Sequence, residues 1–166
     1  MKIVNLFELG GFVRNNYAEK YRGEERAIGS VFKAKNIGFH LEILDPKSFS
    51  CPYHYHDYEE EVVIAIEGEA IVRQNNKFRK IKAGDLVYYE TGPESAHHMY
   101  NHTGKPFKYF VLSTKFLEEC CHYPDSGKIL DKVKKEVTQN GASVDYWKDE
   151  EDPSVHWPEN ALRGEV

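Results

Sequence analysis

The sequence has no apolar run long enough to span a bilayer. Its first residues, MKIVNLFELGGF, carry one Lys, and Asn5 and Glu8 interrupt the apolar stretch, so they do not read as a secretory signal. A disulfide framework is also missing: Cys51, Cys120 and Cys121 are odd in number and two are adjacent. Positive charge is not in excess, with 22 Lys and Arg against 27 Asp and Glu and a formal net charge of -5. That balance lacks the basic footprint of a nucleic-acid binder. Neither internal repeats nor low-complexity segments are present. Together these absences predict a cytoplasmic chain with no membrane and no nucleic-acid partner.

What is present suits one domain with some extra length at its ends, since 166 residues are 40% hydrophobic and 30% charged. From residue 36 onward, short runs rich in Val, Ile, Tyr and Phe alternate with turn signals. Strands are predicted at 39–44, 62–66, 70–73, 78–81, 86–89, 97–101 and 107–113, with Asn75-Asn76 as a hairpin turn. The spacing predicts an all-β sandwich or barrel. Residues 1–35 read as an irregular N-terminal arm containing at most a short strand, 36–116 as the barrel and 117–166 as a C-terminal extension. Ile129, Val133 and Val137 allow a helix over 128–139, although their β-branched character equally allows extended chain. The acidic cluster Asp149 to Asp152 reads as a solvated tail.

His54 and His56 are alternate residues, so on a strand both imidazoles face one point. Glu61 is separated from them by the turn-like stretch 57–60 and is expected to open a new strand pairing beside the first. Another histidine pair, His97-His98, lies next to a later strand. Three imidazoles and one carboxylate suit a divalent transition ion, Mn, Fe, Ni, Zn or Cu, and leave one or two positions open on an octahedral ion. Neutral imidazoles are required, so such an ion should be lost on acidification.

Two stretches carry a family resemblance. HYHDYEEEVVIAIEG over residues 54–68 resembles the first cupin motif, and GDLVYYETGPESAHHMYN over 84–101 resembles the second. The resemblance implies a double-stranded β-helix, a jelly-roll-like barrel, with one divalent metal ion held by His54, His56, Glu61 and His97. Motif spacing to Asn101 favours His97 over His98, and spacing to Gly68 favours Glu61 over Glu60. Departures at Pro46-Lys47, at Glu90 and in the longer turn from Gly92 to His97 alter loop shape near the pocket mouth. Further stretches, at 52–56, 91–98, 107–114 and 123–128, resemble single-domain cupins of unassigned function, in which the last leads into extended chain.

Alternation from the candidate ligands turns Pro52, Val63, Ala65 and Met99 inward, and one of Tyr88 and Tyr89. Arg73 and Arg79 are read as solvated, Cys51 as a small buried residue, and Cys120-Cys121-His122 as packing. The expected activity is that of a metal-dependent dioxygenase, isomerase or decarboxylase on a small molecule. The alternative is a non-catalytic binding or sensing module. Glu59, Glu60, Glu90 or a Tyr is the candidate general base. Short barrel strands leave edges, so homodimerisation through the N-terminal arm is expected.

Overall fold

The computed structural model describes residues 1–166, apart from the side chains of Asn16 and Tyr17. Its strands are β1 (Val13–Ala18), β2 (Tyr21–Arg26), β3 (Ile37–Leu44), β4 (Tyr55–His56), β5 (Glu61–Glu67), β6 (Glu69–Gln74), β7 (Lys77–Lys82), β8 (Leu86–Tyr89), β9 (His97–Tyr100), β10 (Phe107–Thr114), β11 (Cys120–Tyr123), β12 (Lys128–Asp131), β13 (Glu136–Gln139) and β14 (Ala142–Ser143). Two short helices, α1 (Ile28–Phe32) and α2 (Glu159–Arg163), lie outside the sheets. Among the described residues, no helix is long and apolar enough to cross a membrane.

All pairings are antiparallel. One sheet runs β1-β2-β3-β10-β5-β8, a second β7-β6-β9, and a third β14-β13-β12-β11-β4. The first two face each other across a core of Leu44, Val63, Ala65, Ala70, Val72, Ile81, Tyr89, Met99, Phe107, Tyr109 and Val111. The back of β6 and β9 is covered as well, by Tyr21, Phe49, Trp157 and Ala161 packed around Ile71 and Tyr100. Burial on both faces is why β6 reads as an unbroken apolar run rather than an alternating one.

Turn chemistry sets the register. Asn75 and Asn76 both take positive φ, as a two-residue hairpin between Gln74 and Lys77 demands. At Gly68 φ is +81°, and a Cβ would stand 2.8 Å from the Pro106 carbonyl oxygen, so only glycine fits between β5 and β6. All seven strands expected between residues 36 and 116 form, most of them a residue or two longer than their apolar runs.

Outside that stretch several expectations are corrected. The N-terminal arm is not irregular: β1 and β2 form a hairpin that joins β3 in register Gly23↔Leu44 and covers the chain's own sheet edge. The segment 128–139, for which helix and extended chain were both open, takes the extended form as a hairpin, β12 and β13, because β11 offers an open edge and the Asp131 carboxylate caps the turn by accepting from the Val133 and Lys134 N–H groups. The strand opened by Glu61 pairs with β10 and β8, whereas β4 pairs with β11. Glu150 is not solvated. It is buried against Lys128, whose ammonium also donates to the Tyr146 and Lys148 carbonyls.

Arg73 is buried too. Its guanidinium makes a two-pronged pair with Asp125 and lies 3.9 Å from the centre of the Tyr53 ring. Arg73–Asp125 ties the C-terminal extension to β6 of the barrel, and Lys128–Glu150 clamps β12 of the extension to the segment 146–150 further along it. Removing one partner of a buried pair leaves the other uncompensated. Lys128→Ala is therefore expected to cost about 3–5 kcal/mol in urea unfolding. The double variant Lys128→Met/Glu150→Gln should recover most of it, and an unchanged urea midpoint in the single variant would contradict the clamp.

Candidate metal centre

A backbone bridge builds the centre. The His54 N–H donates to the His97 carbonyl at 3.1 Å, and the His97 N–H donates to the His54 carbonyl at 2.8 Å. Residues paired in this way project side chains to one face, and the two ring centroids lie 4.7 Å apart. His56, two residues along, places its ring 5.0 Å from that of His54. Glu61 stands on β5 between Ser113 and Tyr89, with Oε1 3.4 Å from His97 Nε2. All four side chains line one cavity of about 310 Å³.

Each imidazole is held through its Nδ1. His54 Nδ1 lies 2.9 Å from the Pro52 carbonyl oxygen, and His97 Nδ1 lies 2.9 Å from that of Ser95. Carbonyls only accept, so both Nδ1 atoms carry hydrogen and both Nε2 atoms present lone pairs. His56 Nδ1 is 3.1 Å from Glu119 Oε1, with the same consequence. Tyr89 stacks on His97 at 3.5 Å with the planes 4° apart. His54, Glu61 and His97 bring ligand atoms within 4.8 Å of one another, as do His54, His56 and Cys121, and His56, Glu59 and Glu119. Oriented Nε2 lone pairs beside a carboxylate fit a divalent transition ion.

The electrostatics agree. Burial, reinforced by His97 and His56, lowers the His54 pKa to about 3, so this ring stays neutral. Burial would raise the Glu61 carboxyl, but the adjacent His97, with His54 and His56 beyond it, outweighs burial and holds it at about 2, so Glu61 is a carboxylate.

The alternatives separate cleanly. His98 faces away from the centre. Its Nε2 accepts from the Trp157 indole N–H at 2.8 Å and its Nδ1 donates to the Cys51 carbonyl. Glu60 is exposed and accepts from the Tyr88 hydroxyl. Tyr89, rather than Tyr88, is the inward tyrosine.

Several residues in the cavity wall or directly behind it carry almost no signal in the sequence. Glu119 is wholly buried, and its carboxylate accepts from the N–H groups of Asp57, Tyr58 and Glu59 as well as facing His56. Cys121 lines the cavity instead of merely packing. On the wall formed by β3 and β10, Glu42 lies between His40, at 2.7 Å, and the Tyr109 hydroxyl, which donates to it. Glu59, one of the base candidates, is buried at the cavity edge, paired with Lys132 and accepting from the Phe116 N–H. The one available signal was the alternation of polar His40 and Glu42 with apolar neighbours. It reads by default with the polar face outward.

Burial also lowers His98 and His102 below the ordinary histidine value, as it does His54, while His40 is raised against its burial by Glu42. Each lowered group makes the unfolded chain take up a proton that the folded chain refuses, at about 1.4 kcal/mol per pH unit below pH 6.5. Three lowered groups against one raised group give a net loss. Urea unfolding of the metal-free protein should therefore show falling stability from pH 7 to pH 5, and a flat profile would contradict the buried neutral rings.

Residues 40–113 match the family model described as Cupin domain. No curated protein matches the chain. Among solved structures, a protein of Acidithiobacillus ferrooxidans, provisionally assigned as a sugar phosphate isomerase, aligns with a TM-score of 0.72 at 21% identity, over 82% of this chain and 89% of that one. A sugar phosphate isomerase of the cupin superfamily from Silicibacter pomeroyi aligns with a TM-score of 0.68 at 18% identity, over 86% and 90%. A protein of Thermotoga maritima, provisionally assigned as an oxalate decarboxylase, aligns with a TM-score of 0.59 at 21% identity, over 69% and 100%. Strand order, facing sheets and family match agree: residues 40–113 match the cupin domain, and the chain has the cupin-type jelly-roll β-barrel fold.

Proposed function

We propose that this chain is a metal-dependent enzyme that isomerises a small, hydroxyl-bearing carbonyl compound by moving a proton between adjacent atoms. The observation that carries the reading is the chain of hydrogen-bonding groups His40, Glu42 and Tyr109 in the same cavity as the candidate centre. An apolar wall there would suit storage or sensing, whereas a relay suits proton transfer. His54, His56, Glu61 and His97 are the residues proposed to hold the ion. When bound, a divalent ion supplies Lewis-acid polarisation of a carbonyl oxygen.

The protein's own groups supply the rest. Strands β5 and β3 are separated by β10, so Glu42 stands about 10 Å across the sheet from the Glu61 strand. The cavity of about 310 Å³ that both line admits a small substrate between relay and centre. Glu42 is the proposed base, taking a proton from the carbon next to the carbonyl. Tyr109, raised far above the usual tyrosine value by burial and by Glu42, keeps its proton and can donate a hydrogen bond. Burial opposes protonation of His40, but the Glu42 hydrogen bond and the charges of Glu42, Glu25 and Glu61 outweigh it and raise its pKa above 6.5. His40 is thereby placed to exchange protons with Glu42 near neutral pH. The proton returns to the neighbouring atom, so the reaction needs neither oxidant nor reductant. Two structural relatives described as sugar phosphate isomerases lend support from outside the chain.

Two measurements test this. Elemental analysis should find about one metal ion per chain, largely lost in His56→Ala and His97→Ala but retained in His98→Asn; full occupancy in the first two would refute the ligand set. In deuterium oxide, the metal-loaded protein should exchange the proton next to the carbonyl in one of a panel of aldoses, ketoses and their phosphates. Glu42→Gln should slow that exchange at least about 100-fold with metal content unchanged. Absence of exchange from the whole panel, or wild-type exchange in Glu42→Gln, would overturn the isomerase reading and leave a binding module.

A further inference from the structure

Cys121 has surroundings that packing does not explain. On β11 it pairs directly with His56 on β4, so its side chain lies on the same face as that imidazole. It is 4% exposed and lines the cavity, and its sulfur falls within 4.8 Å of ligand atoms of both His54 and His56. Tyr123, two residues along on the same face, lines the same cavity. Cys121 is a free thiol, as are Cys51 and Cys120. A cysteine used only to fill space sits among apolar groups. This one faces two imidazoles whose Nδ1 atoms are already occupied.

We infer that Cys121 is a ligand of the metal ion, bound through its sulfur beside His54 and His56. The inference rests on the metal reading of the centre. As the bond forms, the thiol loses its proton to solvent, Cys–SH plus M²⁺ giving Cys–S–M⁺ plus H⁺, with no change of oxidation state. Together with the Glu61 carboxylate, a thiolate cancels the charge of a divalent ion. It also shifts preference from hard Mg²⁺ and Mn²⁺ towards Zn²⁺, Co²⁺, Ni²⁺ or Fe²⁺.

Cobalt substitution tests this directly. With Co²⁺ as the probe under anaerobic conditions, visible d–d bands report that the ion is bound, and a near-ultraviolet thiolate-to-cobalt band reports sulfur ligation. The wild-type protein should show both. Cys121→Ser and Cys121→Ala should each lose the near-ultraviolet band while keeping the visible ones, whereas Cys51→Ser and Cys120→Ser should keep both. Zinc affinity should fall at least about tenfold in Cys121→Ser, since loss even of a group behind a ligand costs that much. Visible bands in the wild type without the near-ultraviolet band would overturn the Cys121 assignment and leave the histidine centre standing. So would a near-ultraviolet band that persists in both Cys121 variants. No cobalt absorption at all in the wild type would overturn the metal reading and this inference with it.

Discussion

The reciprocal backbone hydrogen bonds between His54 and His97 are the constraint on which the centre depends. They join two segments 43 positions apart, the stretch after β3 and the start of β9, and they aim both side chains into the lumen. Every other candidate donor is placed relative to that pair. His56 follows by strand alternation, and Glu61 arrives from the opposite sheet with its carboxylate 3.4 Å from His97 Nε2. Three Nδ1 anchors then fix ring rotation, two on carbonyls within two residues of the ring and one on a carboxylate far along the chain.

That distant carboxylate explains why the C-terminal extension belongs to the working structure. Glu119 gathers the N–H groups of residues 57–59 and faces His56, so the loop between β4 and β5 takes its shape from a residue past the last barrel strand. β11 follows at once and brings Cys121 and Tyr123 into the cavity wall. The extension is in turn fastened to the barrel by Arg73–Asp125 and held together internally by Lys128–Glu150, two buried ion pairs of the kind that is costly to break. Stability and site chemistry share the same segment for this reason.

The lumen is divided. One part is dry and apolar, with Val63, Ala65, Val72 and Met99 packed in the core between the sheets. The other is lined by titratable groups: histidines, carboxylates, thiols and a lysine. Burial of so many polar groups is expensive unless each is paired. The pairings of His40 with Glu42, Glu42 with Tyr109, and Glu59 with Lys132 meet that requirement while leaving groups able to exchange protons.

Much of this was legible in the chain. Alternating apolar runs and glycine or asparagine turns determined the barrel strands, because period-two patterning and positive φ are local properties. Motif spacing singled out His54, His56, Glu61 and His97, and the inward direction of Val63, Ala65 and Met99 followed from alternation, which left Tyr88 and Tyr89 undivided. The sequence left undecided what depends on contacts between distant segments. The N-terminal hairpin, the extended chain at 128–139, the burial of Arg73 and Glu150, the inward turn of His40 and Glu42, and the meeting of Glu119 and Cys121 with His56 were decided only by tertiary pairing. A side chain's own pattern says which face it shares with its neighbours, but only packing against the rest of the molecule says whether that face meets water, a partner charge or a cavity.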